Sequence, residues 1–301
     1  MTTVGSLCTG YGGLDDGVPG GLSFVAETEA AARIVLDRRF PDVPNVGDVT
    51  SRSFAGSLSP VDVLTAGFPC QPVSWAGHGH GEDDKRWLWL DVRAAIRTLS
   101  PPVVFLENVL ALVTADGGRL HQAVLRDLQY EGYRVRWAVV GGCSVWAPHH
   151  RHRWFAYAEK VRGVRYDPVQ LRMPCPGRSA RLLPTPTVRD GISGPGHSVT
   201  STGGRNLRTV ALDLRDGWGR YESAIRAWED MLGRAAPPVF DPGPRMQRMV
   251  SGRFAEWMMG LPEGLVTAGL SRPASLRLAG NGVMPRAAEA AWRLLAGALP
   301  G

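Results

Sequence analysis

Strands and helices alternate through the first 160 residues, a pattern few folds satisfy. Thr3–Leu7 is a short strand candidate ending in a Gly-rich turn, Thr9–Gly13, and Leu22–Ala26 is a second strand. Ala30–Arg39 has helical composition and stops before Phe40-Pro41; Val61–Ala66 is a third apolar run, followed by Gly67-Phe68-Pro69-Cys70. Trp87–Leu99 reads as a helix, broken at Ser100-Pro101-Pro102, and Val103–Leu106 as a buried strand leading into Glu107-Asn108. Leu120–Glu131 is helical, and Arg134–Val140 and Trp154–Ala158 are further strands. Such alternation predicts an α/β fold, a doubly wound and mostly parallel sheet covered on both faces. Ligands of such sheets bind beyond the carboxyl ends of the strands. Here those ends carry Thr9–Gly13, Glu27, Cys70 and Glu107.

From about residue 161 the pattern breaks. Ten of the 23 prolines lie in 161–250, and Tyr221–Leu232 is the one convincing helix there. This stretch reads as a smaller, loop-rich domain; regular structure returns at Arg253–Met259 and in the Ala-rich helix Ala287–Leu299. Charge divides the chain in the same way. Residues 1–160 hold 15 Lys+Arg and 17 Asp+Glu, a net of −2, whereas 161–215 alone carry nine Arg and three Asp, a net of +6. A local basic segment points to a polyanion partner, and 161–215 are expected to face it. Because 32 of the 34 basic residues are Arg, the Arg bias itself says little about function. No apolar run approaches the ~18 residues of a membrane span, and the N-terminus lacks a signal-peptide pattern. Cys8, Cys70, Cys143 and Cys175 are far apart and form no C-x-x-C pair, so no disulfide scaffold or cysteine zinc site is expected and a cytoplasmic location is the default.

Several motifs carry chemistry. Thr9-Gly10-Tyr11-Gly12-Gly13 follows a strand, where glycines let the backbone approach a ligand. The dinucleotide fingerprint needs a further glycine at 15, but that residue is Asp15, which disfavours NAD. Glu27 ends the next strand, 17 residues after Gly10, where an acid suits ribose hydroxyls. Cys70, at a buried strand end between Pro69 and Pro72, is placed as a nucleophile. Trp75 to Lys85, with three glycines and two histidines, reads as a loop able to close over a substrate. The Glu107 carboxyl can donate or accept a proton beside such a nucleophile. In Pro148-His149-His150-Arg151-His152-Arg153 the histidines suggest a metal, but metal sites need further ligands in fixed geometry. The Arg pair suits carboxylate or phosphate better, and no metal is expected.

In order along the chain, these residues resemble the DNA (cytosine-5) methyltransferase family, bacterial or phage type. The resemblance runs through 4–158 and again through 251–295. Pro69-Cys70-Gln71 and Glu107-Asn108-Val109 are its most specific elements, joined by Gly280-Asn281-Gly282-Val283 and Phe254–Pro262. It implies a class I S-adenosylmethionine-dependent methyltransferase fold, with a catalytic domain of 1–160 plus 268–301 and a target-recognition domain of 161–267. It implies an enzyme that moves a methyl group from S-adenosyl-L-methionine to carbon 5 of a flipped-out cytosine in duplex DNA, releasing S-adenosyl-L-homocysteine. Catalysis falls to Cys70, Glu107, Asn108, Arg151 and Arg153. Cofactor binding falls to Cys8, Gly10, Gly12, Gly13, Glu27, Thr28, Asp48, Val49, Pro69, Leu88, Asn281 and Val283. DNA contacts fall to Gln71, Ser74, Arg189, Asn206 and Arg208. The C-terminal helix is expected to return to the large domain.

The resemblance also implies a monomer, with double-stranded DNA as partner and a cognate restriction endonuclease where the enzyme belongs to a restriction-modification pair. The chain departs from the family pattern at Ser6, where an acid is usual, at Cys8 and Thr28, where aromatics are common, and at His149, His150, His152 and Gly282. A tRNA cytosine-5 methyltransferase and a catalytically silent DNA-binding homologue are the competing readings; Gln71 and the basic insert favour DNA, and the intact Cys70, Glu107 and Arg153 favour an enzyme. No D-P-P-Y or S-P-P-Y signature for adenine amino-methylation is present.

Overall fold

The computed structural model describes residues 1–51, 54, 58–69, 87–161, 167–175, 181–188, 190, 206–211, 214, 217–242 and 248–297. Two compact units emerge: 1–140, 152–173 and 288–301 form the first; 141–151 and 174–287 form the second. The boundaries differ from the sequence expectation in three places, since 161–173 group with the first unit and 141–151 and 268–287 with the second.

The first unit is built on a seven-stranded sheet of order β2-β1-β3-β4-β6-β5-β7. Its strands are β1 Thr3–Leu7, β2 Gly21–Ala26, β3 Val63–Ala66, β4 Val103–Val109, β5 Tyr133–Val140, β6 Arg153–Lys160 and β7 Val169–Arg172. Only β6 runs against the rest, pairing antiparallel with β4 and β5. β1 pairs in parallel with both β2 and β3, so the strand order reverses at β1. That reversal opens the crevice where doubly wound sheets bind ligands, and the carboxyl ends are level there, with Leu7 opposite Ala26 and Ala66.

The central strands are mostly apolar and buried because helices cover them. In β3 all four residues are buried; in β4 the central five are. Helix α1, Ala30–Arg39, buries Ala31, Ala32, Val35 and Leu36, one face at helical spacing. Helices α2, Trp89–Leu99, and α3, Arg119–Tyr130, are joined by Trp89 Nε1, which donates to Asp127 Oδ2 at 2.9 Å, and by Arg93, which reaches Asp127 and Glu131. The C-terminal helix crosses the turn after β1 so closely that a Cβ on Gly17 would lie 2.5 Å from the Glu289 backbone nitrogen. Trp292 of that helix sets its ring edge-on to Phe105 and Tyr157.

The second unit contains short helices and a two-stranded antiparallel sheet, β8 Phe240–Pro242 with β9 Arg248–Val250. Its helices are α4 Leu207–Ala211, α5 Glu222–Leu232, α6 Gly252–Met258 and α7 Arg272–Asn281; α8, Pro285–Gly297, follows. Ser251 and Ser271 cap α6 and α7 at their N-termini. Fully buried Glu256 in α6 accepts from Gly264 N and Val266 N, each at 2.8 Å, and so fixes the following turn.

Three expectations need correction. Cys143 and Cys175 form a disulfide with a Cα–Cα distance of 5.1 Å, although no spacing in the sequence marks them as partners. Segment 161–215 is not one exposed surface: Val169–Arg172 completes the large sheet, and 206–211 are buried. The strand expected to end at Leu106 runs on through Glu107 and Asn108, because β6 continues to pair with β4 to Val109. Among the described residues no helix is long and apolar enough to cross a membrane.

Candidate active site

The turn after β1 is shaped by backbone that side chains rarely adopt. Cys8 has φ 52° and Gly10 φ 59°. A Cβ on Gly10 would meet nothing within 4 Å, so this stretch presents open backbone. Gly10 N donates to Glu27 Oε2 at 2.7 Å, linking the ends of β1 and β2. Glu27 Oε1 accepts from Thr28 N at 2.8 Å and Glu29 N at 2.7 Å. Oε2, with a single N–H on it among the described residues, keeps a lone pair for one further donor.

Asp48 is exposed and uses Oδ1 to accept from Thr50 N at 2.9 Å and Thr50 Oγ1 at 2.8 Å. Half-buried Cys8 is pushed up to about 12, first by burial and then by the charges of Glu27, Asp48 and Asp91. Its thiol therefore stays protonated and does not compete as a nucleophile. The same interactions place Asp91 in this group, although the sequence reading passed it over. Burial and then Asp48 raise its carboxyl above the usual range. Leu88 and Val49 are half-buried, Leu88 as the residue before α2.

Asp15 does more than break the dinucleotide fingerprint. It is buried and accepts from Ser6 Oγ at 3.0 Å and Thr65 Oγ1 at 2.5 Å, tying β1, β3 and the glycine turn together. Burial raises its carboxyl to about 6. Ser6 stands where the family usually carries an acid, so the carboxylate of this chain reaches the same strand from the turn.

The carboxyl end of β4 holds the second cluster. Glu107 Oε1 lies 3.1 Å from Arg153 Nε, and both side chains are mostly buried. Sheet pairing explains the meeting: Val109 faces Arg153 across the antiparallel pair, and Glu107 lies two residues back on the same face. Burial lowers the Arg153 guanidinium and the Glu107 charge raises it again; it remains a cation. Buried Asn108 donates from Nδ2 to the Phe68 carbonyl at 2.9 Å, and its Oδ1 accepts from Val109 N at 2.8 Å. Asn108 thus holds the backbone two residues before Cys70. Phe68 and Trp87 meet edge to face, with centroids 6.0 Å apart, and Phe68 also touches Trp89 at 5.4 Å. Pro69 is exposed at the end of this anchor. Cys70, Gln71, Ser74 and Arg189 lie outside the described residues.

Arg151 belongs to the second unit. It has φ 29°, and Nη2 donates to the carbonyls of Gly280 at 3.0 Å and Gly282 at 2.6 Å, which flank Asn281. Val283 follows in the same turn and is buried. Asn206 and Arg208 are corrected. Asn206 is buried and caps α4, its Oδ1 accepting from Thr209 N at 2.8 Å and Thr209 Oγ1 at 2.7 Å. Arg208 is 7% exposed, its backbone N bonded to Asp190. Neither side chain is placed to read a base edge.

Residues 2–170 match the family model for C-5 cytosine-specific DNA methylases, more than half of the chain. The chain belongs to that family. Relatives include the type II methyltransferase M.NlaIV of Neisseria lactamica, 36% identical over 138 residues, which is 43% of this chain and 32% of that protein. M.NgoBI of Neisseria gonorrhoeae is 36% identical over 154 residues, 50% of this chain and 48% of the relative. The match thus spans less than half the length of these curated relatives. The fold extends further: the crystal structure of the S. pombe Dnmt2 methyltransferase superposes with TM-score 0.61 over 99% of both chains at 14% identity. The mostly parallel sheet is that of the class I methyltransferase fold, and the Glu-Asn-Val and Gly-rich elements of the family occupy its strand ends.

Proposed function

We propose that this chain is a DNA methyltransferase that forms 5-methylcytosine in duplex DNA, with S-adenosyl-L-methionine as donor. The observation that carries the reading is the buried Glu107–Arg153 pair beside Asn108, which ties β4 to the strand end leading into Cys70.

The chain's residues suit the donor. The open backbone at Gly10 gives a ligand close approach, with Gly12 and Gly13 continuing the turn. Glu27 Oε2 can accept a ribose hydroxyl, and exposed Asp48 can accept from an adenine amino group. When bound, the donor supplies an electrophilic methyl group.

In the proposed cycle the Cys70 thiolate adds to carbon 6 of the cytosine, forming a carbon–sulfur bond. Glu107, protonated at the start, gives its proton to ring nitrogen 3 as Cys70 adds and takes it back as carbon 5 is methylated; in between it is a carboxylate. The electron pair that reaches carbon 5 takes up the methyl group. A base then removes the carbon-5 proton, the ring double bond re-forms, and the carbon–sulfur bond breaks to restore Cys70. Arg153 holds the Glu107 carboxylate in place and stabilises its charge. Because carbon 6 is shielded in a stacked duplex, the cytosine turns out of the helix for this chemistry. The basic segments of 161–267 supply phosphate contacts, so DNA affinity falls steeply with added salt.

The test is transfer of a tritiated methyl group from S-adenosyl-L-methionine to duplex DNA and, in parallel, to tRNA. Base-resolution cytosine mapping of DNA from expressing cells should show 5-methylcytosine in a fixed sequence context. Label in tRNA alone, or an unmethylated genome, would overturn the proposal.

A further inference from the structure

Asn45 stands between the two carboxylates assigned to the cofactor. We propose that it is the positioning residue that sets Glu27 and the Asp48 turn at a fixed separation; the inference rests on the reading that these two acids hold the donor's nucleoside.

The geometry is a backbone ladder continued by a side chain. Val25 N donates to the Pro44 carbonyl at 3.0 Å, and Val46 N to the Val25 carbonyl at 2.8 Å. Val25 and Asn45 thus form a parallel bridge, an extra rung on the outer edge of β2. Beyond that rung β2 ends, and the Asn45 amide takes the place of the next peptide. Its Oδ1 accepts from Glu27 N at 3.1 Å, and its Nδ2 donates to the Glu27 carbonyl at 3.1 Å. Oδ1 also accepts from Gly47 N at 3.0 Å, immediately before Asp48.

One planar amide therefore grips Glu27 on both backbone groups and holds the start of the Asp48 turn. With its backbone held, Glu27 directs its carboxylate to Gly10 N at 2.7 Å. Without the amide, the segments carrying the two acids are still joined by the Val25 rung, which stops two residues short of Glu27. An aspartate at 45 would keep the acceptor and lose the donor; an alanine would lose both. Asn45 needs no contact with the ligand to act, which separates it from Glu27 and Asp48.

The experiment is a double-mutant cycle on the full chain, read by calorimetric binding of S-adenosyl-L-homocysteine to the wild type, Asn45→Ala, Glu27→Ala and the double variant. Each single change is expected to weaken binding roughly tenfold, while the double variant binds within about threefold of Glu27→Ala alone, since coupled sites are not additive. In turnover, Asn45→Ala raises KM for the donor far more than it lowers kcat. Wild-type affinity in Asn45→Ala beside weakened binding in Glu27→Ala overturns the inference and leaves the cofactor reading intact. Fully additive penalties also overturn it. Unchanged binding in Glu27→Ala overturns the cofactor reading and the inference with it. Should Asn45→Ala not fold, Asn45→Asp serves in its place: a raised KM is expected, and a wild-type KM refutes the role.

Discussion

Arg153 and Glu107 meet diagonally across the β4–β6 pair, Nε to Oε1 at 3.1 Å, where the sheet places two oppositely charged side chains largely out of water. Removing either partner breaks a largely buried ion pair. Arg153→Ala should cost ~3–5 kcal/mol of stability, because it takes that ion pair from a buried carboxylate. Glu107→Gln keeps the volume but takes the counter-charge from buried Arg153, so it should also lose stability, and it should slow methyl transfer by at least about a hundredfold. Urea denaturation and tritium transfer on both variants check this. A fully active Glu107→Gln would remove Glu107 from the chemistry.

Two buried titratable groups oppose each other in the acid range. Asp15 is raised from 3.8 to about 6, so the folded state binds its proton more readily than the unfolded chain; this contribution to stability is present below pH 3.8 and is lost as pH rises through about 6. His121, wedged between Trp137 and Trp154, is lowered from 6.5 to about 4 by burial. The unfolded chain binds its proton first, so stability is lost as pH falls from 6.5 towards 4. Each effect is on the order of 3 kcal/mol, and the slopes are opposite in sign. Asp15→Asn should therefore steepen the loss of stability on acidification, and His121→Phe should flatten or reverse it. Chemical denaturation at pH 4.5, 5.5 and 6.5 reads both; parallel curves for wild type and variants would contradict the assignment.

Some of this was legible in the sequence because it is local or repeats along strands. The Gly-rich turn, Glu27 and Glu107 fall at strand ends, and strand ends can be read from apolar runs. Asp15, Asn45 and Asp91 escaped notice because their partners lie far away in sequence: Thr65 is 50 residues from Asp15. Cys143 and Cys175, separated by 32 residues, give no local signal either. Asn206 is a different case. A base-reading Asn and a capping Asn are the same residue, and only burial tells them apart. The Asn206-x-x-Thr209 spacing before an apolar turn was the available clue.

Asn206→Ala should cost about 1 kcal/mol through loss of the cap while leaving the methylated sequence unchanged. Base-resolution mapping of DNA from cells expressing the variant decides it. A relaxed or altered target sequence would return Asn206 to DNA recognition.

Glu256 offers a test within the second unit. Its two oxygens serve separate backbone N–H donors, Gly264 and Val266. In Glu256→Gln one of those donors meets an NH2 group, and a buried unsatisfied group costs about 1–3 kcal/mol. Thermal unfolding should shift down accordingly; an unchanged midpoint would show that the turn is held by other contacts.

The central claim is covalent catalysis by Cys70. Duplex DNA synthesised with 5-fluorocytosine throughout covers every target sequence and blocks the final proton removal. Incubated with S-adenosyl-L-methionine, the wild type should form a denaturant-resistant adduct that peptide mass spectrometry places on Cys70, and Cys70→Ala should form none. Absence of the wild-type adduct under conditions that trap a control enzyme, or an adduct on another residue, would contradict the account.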